Sequence, residues 1–226
     1  MIITIDGAVA TGKSSVARGL ALSLGYIFFD TGAMYRSLTY GLIKKNIDIN
    51  NEKKLKAYLD TFDFDMKIKR GEKLYYVEGE DVTEIIRGLE VTQKVSDVAA
   101  IPIVREKLVE IQKELATGVN AVFEGRDMGT VVFPKADLKI FLTGRTEVRA
   151  ERRLKELREK FPEMADELTP EAVLENLTKR DEIDTTRKVS PLKAANDAYI
   201  IDTSDLSCED VVNRALECKD RHKRSL

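Results

Sequence analysis

Cysteine, histidine and tryptophan are nearly missing from this chain: its 226 residues include two cysteines, one histidine and no tryptophan. Cys208 and Cys218 lie in one expected helix. They have neither a metal-ligand spacing nor the partners of a disulfide framework, which excludes a small stapled secreted scaffold. His222 lies in the tail, so histidine-based acid–base chemistry is not expected. No apolar run approaches the ~20 residues that span a bilayer. A strand beginning at Ile2 leaves no room for a signal peptide, so the expected location is the cytoplasm, with no membrane partner. The net charge of −2 and the absence of tryptophan speak against a basic or stacking surface, so no nucleic-acid partner is expected. The one basic cluster, Lys219 to Arg224, reads as a frayed helix end. With 43% hydrophobic and 34% charged residues, the composition is that of a globular chain able to bury a full core.

Against this spare background one motif stands out. Residues 2–15 read IITIDGAVATGKSS, an apolar strand running into Gly-x-x-x-x-Gly-Lys-Ser. That is the phosphate-binding P-loop in its expected strand–loop–helix setting. Gly7, Ala8, Val9, Ala10, Thr11, Gly12, Lys13, Ser14 and Ser15 would form the ATP site. Glycines let successive backbone N–H groups turn toward phosphate oxygens, and the helix that follows presents its positive end to the same anion. Lys13 would reach the transferring phosphate, and the Ser14 hydroxyl would complete a Mg²⁺ shell.

Strand and helix alternate along most of the chain. Apolar runs at 2–5, 26–29, 121–123, 138–142 and 199–201 read as short buried strands. Helical stretches are expected at 13–24, 33–44, 103–116, 147–160, 170–179 and 208–217. The pattern predicts an α/β fold: a P-loop parallel sheet with helices on both faces, a small inserted antiparallel β subdomain and a mobile lid. Ligands of such sheets bind beyond the carboxyl ends of the strands. The insertion is marked by alternation over 62–82, with a turn signal at Arg70–Lys73, and its expected bounds are about 46–100. A polar, charged region at 161–189 reads as irregular and falls in a lid expected over about 145–190.

A triphosphate site does not say what accepts the phosphoryl group. Arginines at element ends do, because a guanidinium fork matches phosphate and stays charged. Arg36 follows the second strand in DTGAMYR, and Arg126 follows the third in EGRDMGT. Arg180, Asp184 and Arg187 punctuate the second irregular region, and Arg105 opens the long helix after Ser96-Asp97. Arg145, Arg149, Arg152, Arg153 and Arg158 divide evenly between two readings. They are either a lid over triphosphate or surface pairs with the interleaved Glu147, Glu151, Glu156 and Glu159. Asp30 could order the Mg²⁺ shell, with Glu124 as runner-up, and either could instead cap a helix.

Taken together, the chain resembles the bacterial cytidylate kinase family, a nucleoside monophosphate kinase branch of P-loop proteins, over essentially its whole length. The markers are Gly7–Ser15, DTGAMYR at 30–36, EGEDV at 78–82, SDVAA at 96–100, Val104-Arg105, Arg180-Asp181 through Arg187 and, most discriminating, GRDMGTVVFP at 125–134. The resemblance implies a monomeric kinase that moves the γ-phosphoryl group of Mg²⁺·ATP to CMP or dCMP. Carried over by position, Lys13, Arg126 and Arg180 would be catalytic. Thr31 and Ser96 would meet the pyrimidine edge or ribose, and Arg36, Arg105 and Arg126 would grip the monophosphate. Asp127 would read the cytosine amine, Arg180 and Arg187 would contact the acceptor, and Asp184 would bind the sugar. Ser14 and Asp30 would serve the metal. Ala8 and Ala10 stand where relatives often have proline and glycine; both are small, and no loss of phosphate binding is expected. Two other readings remain. A kinase of the same architecture could take UMP, another deoxynucleoside monophosphate or dephospho-coenzyme A. A nucleotide-dependent switch would show no acceptor dependence.

Overall fold

The computed structural model describes residues 1–69, 72–164 and 168–224. The chain divides into two compact units, Met1–Phe29 with Ala116–Leu226, and Asp30–Leu115.

The first unit is built on a five-stranded sheet. Its strands are β1 (Ile2–Gly7), β2 (Ile27–Asp30, whose last residue opens the second unit), β6 (Ala121–Gly125), β7 (Leu138–Thr143) and β8 (Tyr199–Asp202). Their spatial order is β2-β6-β1-β7-β8. β1 pairs in parallel with β6 and β7, and β7 with β8. The inner strands of such a sheet are buried on both faces, which is why they read as apolar runs rather than as alternation. α1 (Lys13–Leu24) and α8 (Cys208–Arg224) cover it. Val16, Ala17, Leu20, Val211 and Ala215 join Ile3, Ile5, Val122, Leu138, Ile140 and Leu142 in one core. α1 ends at Gly25, whose φ of 66° permits the left-handed cap, with Tyr26 N–H donating to Ala21 O at 2.9 Å. Phe123 is fully buried and stacks on Phe29 with ring centroids 4.5 Å apart. The remaining long helices of this unit are α6 (Thr146–Lys160) and α7 (Pro170–Thr186).

The second unit carries α2 (Thr31–Lys44), α3 (Glu52–Thr61), the antiparallel strands β3 (Phe64–Lys69), β4 (Glu72–Val77) and β5 (Glu80–Asp81), then α4 (Leu89–Ala100) and α5 (Pro102–Leu115). Leu38, Leu42, Leu55, Leu59, Val77, Val98 and Leu108 are among the residues of its own core. The hairpin pairs Phe64 with Val77 through Lys69 with Glu72. Two residues of the expected turn, Arg70 and Gly71, lie outside the described residues.

Several expectations need correction. The stretch 161–189 is not mostly irregular: α7 extends to Thr186, started by a Thr169 cap on Ala172 N–H and by Pro170. Residues 165–167 of that stretch lie outside the described residues. α3 and α4 were not foreseen. α3 buries only Leu55, Tyr58 and Leu59, and α4 is lined by β-branched Val91, Val95 and Val98. The basic end continues α8 to Arg224, although the side chains of Lys223 and Arg224 lie outside the described residues. No helix among the described residues is long and apolar enough to cross a membrane.

Candidate active site

β1 delivers the P-loop and β6 delivers the Gly-Arg-Asp segment to the same sheet end, since Ile5 pairs with Glu124 and Asp6 with Gly125. The loop backbone leaves little choice of residue. A Cβ on Gly7 would lie 2.3 Å from Leu142 O, and Gly12 holds φ of 84° at the start of α1. Ala10 is also left-handed, with φ of 58°. Alanine there costs on the order of 1 kcal/mol relative to glycine, so position 10 is less permissive than its small size suggests. Lys13 is buried, and its Nζ donates to Ala8 O at 2.6 Å. Burial, with Arg126 adding to it, pushes the ammonium down to about 7, although Glu124, Asp184 and Asp6 pull the other way. Ser14 is exposed and its Oγ donates to Glu124 Oε1 at 2.6 Å.

Around Lys13 the first unit gathers the expected side chains. Arg126 Nε donates to Asp184 Oδ2 at 2.8 Å, and Arg187 approaches Asp184 at 3.4 Å and the buried Asp127 at 3.8 Å. Burial opposes the charge of Arg126, yet Asp184, Glu124 and Asp181 outweigh it and hold the guanidinium above its ordinary value. Burial likewise opposes the charge of Asp184, but Arg126, Arg187 and Arg180 keep its carboxyl below the usual range. The helical form of α7 is what makes this possible: Arg180 and Asp184 lie four residues apart, on one face of a rigid element, and Arg187 caps its end. Lys13, Arg126, Arg180 and Arg187 therefore form one basic set, interleaved with Glu124, Asp127 and Asp184.

Thr31, Arg36, Ser96 and Arg105 belong to the second unit. Thr31 is buried at the first position of α2, and Ser96 is half-buried on α4. Arg36 Nη1 donates to Thr92 Oγ1 at 2.8 Å and to Ile86 O at 3.4 Å. Arg105 is buried, donates from Nη1 to Ala99 O at 3.0 Å and lies 5.3 Å from the Tyr35 ring centroid. Asp30 caps α2 by accepting from Ala33 N–H at 3.0 Å, and it pairs with Arg87 at 3.8 Å. The carboxylate beside the Ser14 hydroxyl is Glu124.

The α6 arginines do not pair as their interleaving suggests. Among the pairs expected within α6, Arg153 meets Glu156 at 2.8 Å. Arg145 forks onto Asp205, Arg152 donates to Thr203 O, and Arg158 donates to Leu168 O. Arg149 is buried and braces the P-loop, donating to Val9 O at 3.1 Å, Gly144 O at 3.0 Å and Asp181 Oδ2 at 2.6 Å. Sequence reading also passed over Asp6, a lone carboxylate closing an otherwise apolar run. Its signal was there, because an acid buried in a parallel strand needs a dedicated partner.

The comparisons with known proteins give the family. The cytidylate kinase family model matches residues 3–221. This chain belongs to the cytidylate kinase family. It is 61% identical over 223 residues to a cytidylate kinase of Protochlamydia amoebophila, covering 99% of this chain and 98% of that one. A cytidylate kinase of Caldicellulosiruptor bescii is 44% identical over 215 residues, 95% of this chain and 93% of its own. Among solved structures, an uncharacterized protein of Eubacterium ventriosum aligns with a TM-score of 0.52 at 13% identity, covering 98% of each chain. That likeness speaks for the fold alone. The chain is thus an enzyme of a kinase family, with the parallel sheet and small antiparallel sheet that its sequence pattern implies.

Proposed function

We propose that the chain transfers the γ-phosphoryl group of ATP to CMP or dCMP, releasing ADP and CDP or dCDP, and that the first-unit basic set is where transfer occurs. The observation that carries this reading is the meeting of Lys13 with Arg126 and the α7 side chains Arg180, Asp184 and Arg187 at the P-loop end of the sheet. Phosphoryl transfer asks the protein mostly for positioning and neutralisation of charge. An acceptor phosphate is already anionic, so its oxygen attacks the γ-phosphorus in line without a strong base.

The P-loop amides and Lys13 hold the donor phosphates, and the phosphate charge restores the proton that burial makes Lys13 hold weakly. Arg126 and Arg180 neutralise the transferring group, while Arg187 and Asp184 keep them aimed. Arg36 and Arg105 take the acceptor monophosphate, Thr31 and Ser96 its pyrimidine edge or ribose, and Asp184 its sugar. Asp127 accepts from the cytosine amine, where a uracil carbonyl would be repelled. Ser14 and Glu124 offer the hard oxygen pair that suits Mg²⁺, which favours Glu124 over Asp30, already engaged at a helix cap. A Mg²⁺ ion held by these two side chains would offset the negative charge of the donor phosphates.

Replacing Asp127 by alanine tests the assignment. The expected outcome is a KM for CMP raised at least tenfold, with the KM for ATP within about threefold of wild type. Equal losses for both substrates would remove Asp127 from base recognition.

A further inference from the structure

Asp6 is buried at the end of β1, one residue before the P-loop. Its carboxylate takes both oxygens to one short segment. Oδ1 accepts from Met128 N–H and Oδ2 from Gly129 N–H, each at 2.8 Å. These amides open a single wide helical turn, Met128–Val132, closed by Val131 and Val132 N–H on Asp127 O and by Phe133 N–H on Met128 O at 2.7 Å. Wide turns of this kind are uncommon and concentrate at functional sites. Arg126 and Asp127 immediately precede the turn, so whatever fixes its first two amides fixes where both side chains leave the backbone. Gly129 also lies close against β1 and β7, where a Cβ would come within 3.0 Å of Thr4 Oγ1 and 3.2 Å of Lys139 Cδ.

We infer that Asp6 is a positioning residue for phosphoryl transfer. By gripping the Met128 and Gly129 amides, it ties the segment bearing Arg126 and Asp127 to the strand that carries the P-loop. The inference rests on the reading of the first-unit site as the transfer site. Two amide bonds to one carboxylate set both position and orientation, where a single bond would leave a swivel. A buried acid could be kept merely to satisfy two amides. That purely structural role would cost stability when lost and affect both substrates alike.

The test uses Asp6→Asn, which keeps the shape but can accept at only one oxygen, and Gly129→Ala, which displaces the same amide without touching Asp6. Kinetics with CMP and ATP are combined with amide hydrogen exchange at Met128 and Gly129. In Asp6→Asn, exchange at one or both amides should rise at least tenfold. The KM for CMP should rise by about ten- to a hundredfold, as expected of a misplaced acceptor-binding segment. The KM for ATP should stay within about threefold. Gly129→Ala should repeat the acceptor-selective defect, and it decides the matter if Asp6→Asn does not fold. Unchanged exchange in Asp6→Asn, or losses shared equally by CMP and ATP, would overturn the inference. Failure of the wild-type chain to phosphorylate CMP would sink the transfer-site reading instead, while the exchange measurement would still decide whether Asp6 holds the turn.

Discussion

Lys13 combines burial with a charge that the reaction needs, and the two conflict until a phosphate is present. Lys13→Ala should therefore lower turnover on the order of a hundredfold or more while leaving the fold intact. Near-normal turnover in a steady-state assay would take it out of the catalytic role. Ala10 makes the opposite kind of prediction. At φ of 58° its Cβ is strained, so Ala10→Gly should raise stability by about 0.5–1 kcal/mol after the added freedom of the unfolded glycine is subtracted. Denaturant unfolding measures this, and a loss of stability would contradict the strain. Asp6 gives a pH dependence. Burial raises its carboxyl to about 6, despite the Gly129 and Met128 amide bonds. Between its ordinary pKa of 3.8 and that value, the folded chain keeps a proton that the unfolded chain has released. The stability this group allows is thus full below about pH 4 and falls as pH rises toward 6. Relative to Asp6→Asn, the wild type should lose on the order of 2–3 kcal/mol between pH 4 and 7. Parallel stability curves would contradict the burial argument.

At the scale of elements, α7 and the end of β6 act together through Arg126 and Asp184. Both side chains are largely buried, at 24% and 16% exposure, so removing one takes a close charge partner from the other. A double-mutant cycle of Arg126→Ala and Asp184→Ala, read by denaturant unfolding, should give a coupling of about 1–3 kcal/mol. Simple additivity would mean that the contact holds nothing. The same elements show what sequence can and cannot reveal. The sheet strands were legible as short apolar runs, most of them buried on both faces, although Ile200 on the edge strand β8 is 65% exposed. α1 was legible from Lys13 to Leu24 because Gly12 and Gly25 punctuate both its ends. The second half of α7 was not, because its segment RDEIDTT is polar apart from Ile183 and carries ion pairs rather than an apolar stripe. α3 and α4 were obscured for different reasons, a thin apolar stripe in one and valines that favour strands in the other. The wide turn after Asp127 has no local signature, since it depends on a carboxylate more than a hundred residues away.

Across the whole molecule, each unit has its own core, and the residues expected at the site divide between them: P-loop, Arg126, Asp127 and the α7 set in the first, Thr31, Arg36, Ser96 and Arg105 in the second. Phosphate chemistry singles out the P-loop and the arginines by side-chain type, whereas Thr31, Ser96 and Asp127 are named only through the family resemblance. Motif reading could not say which carboxylate stands beside Ser14, nor that Arg149 supports the loop instead of facing solvent. The central claim is acceptor-dependent phosphoryl transfer to a cytidine monophosphate. The measurement that tests it most directly is ADP release from Mg²⁺·ATP in a coupled assay, with CMP, dCMP, UMP, AMP and GMP supplied in turn. Strong release with CMP or dCMP, and little with the purine nucleotides, is the predicted result. Release that is indifferent to the acceptor would contradict the account and leave a nucleotide hydrolase or switch in its place.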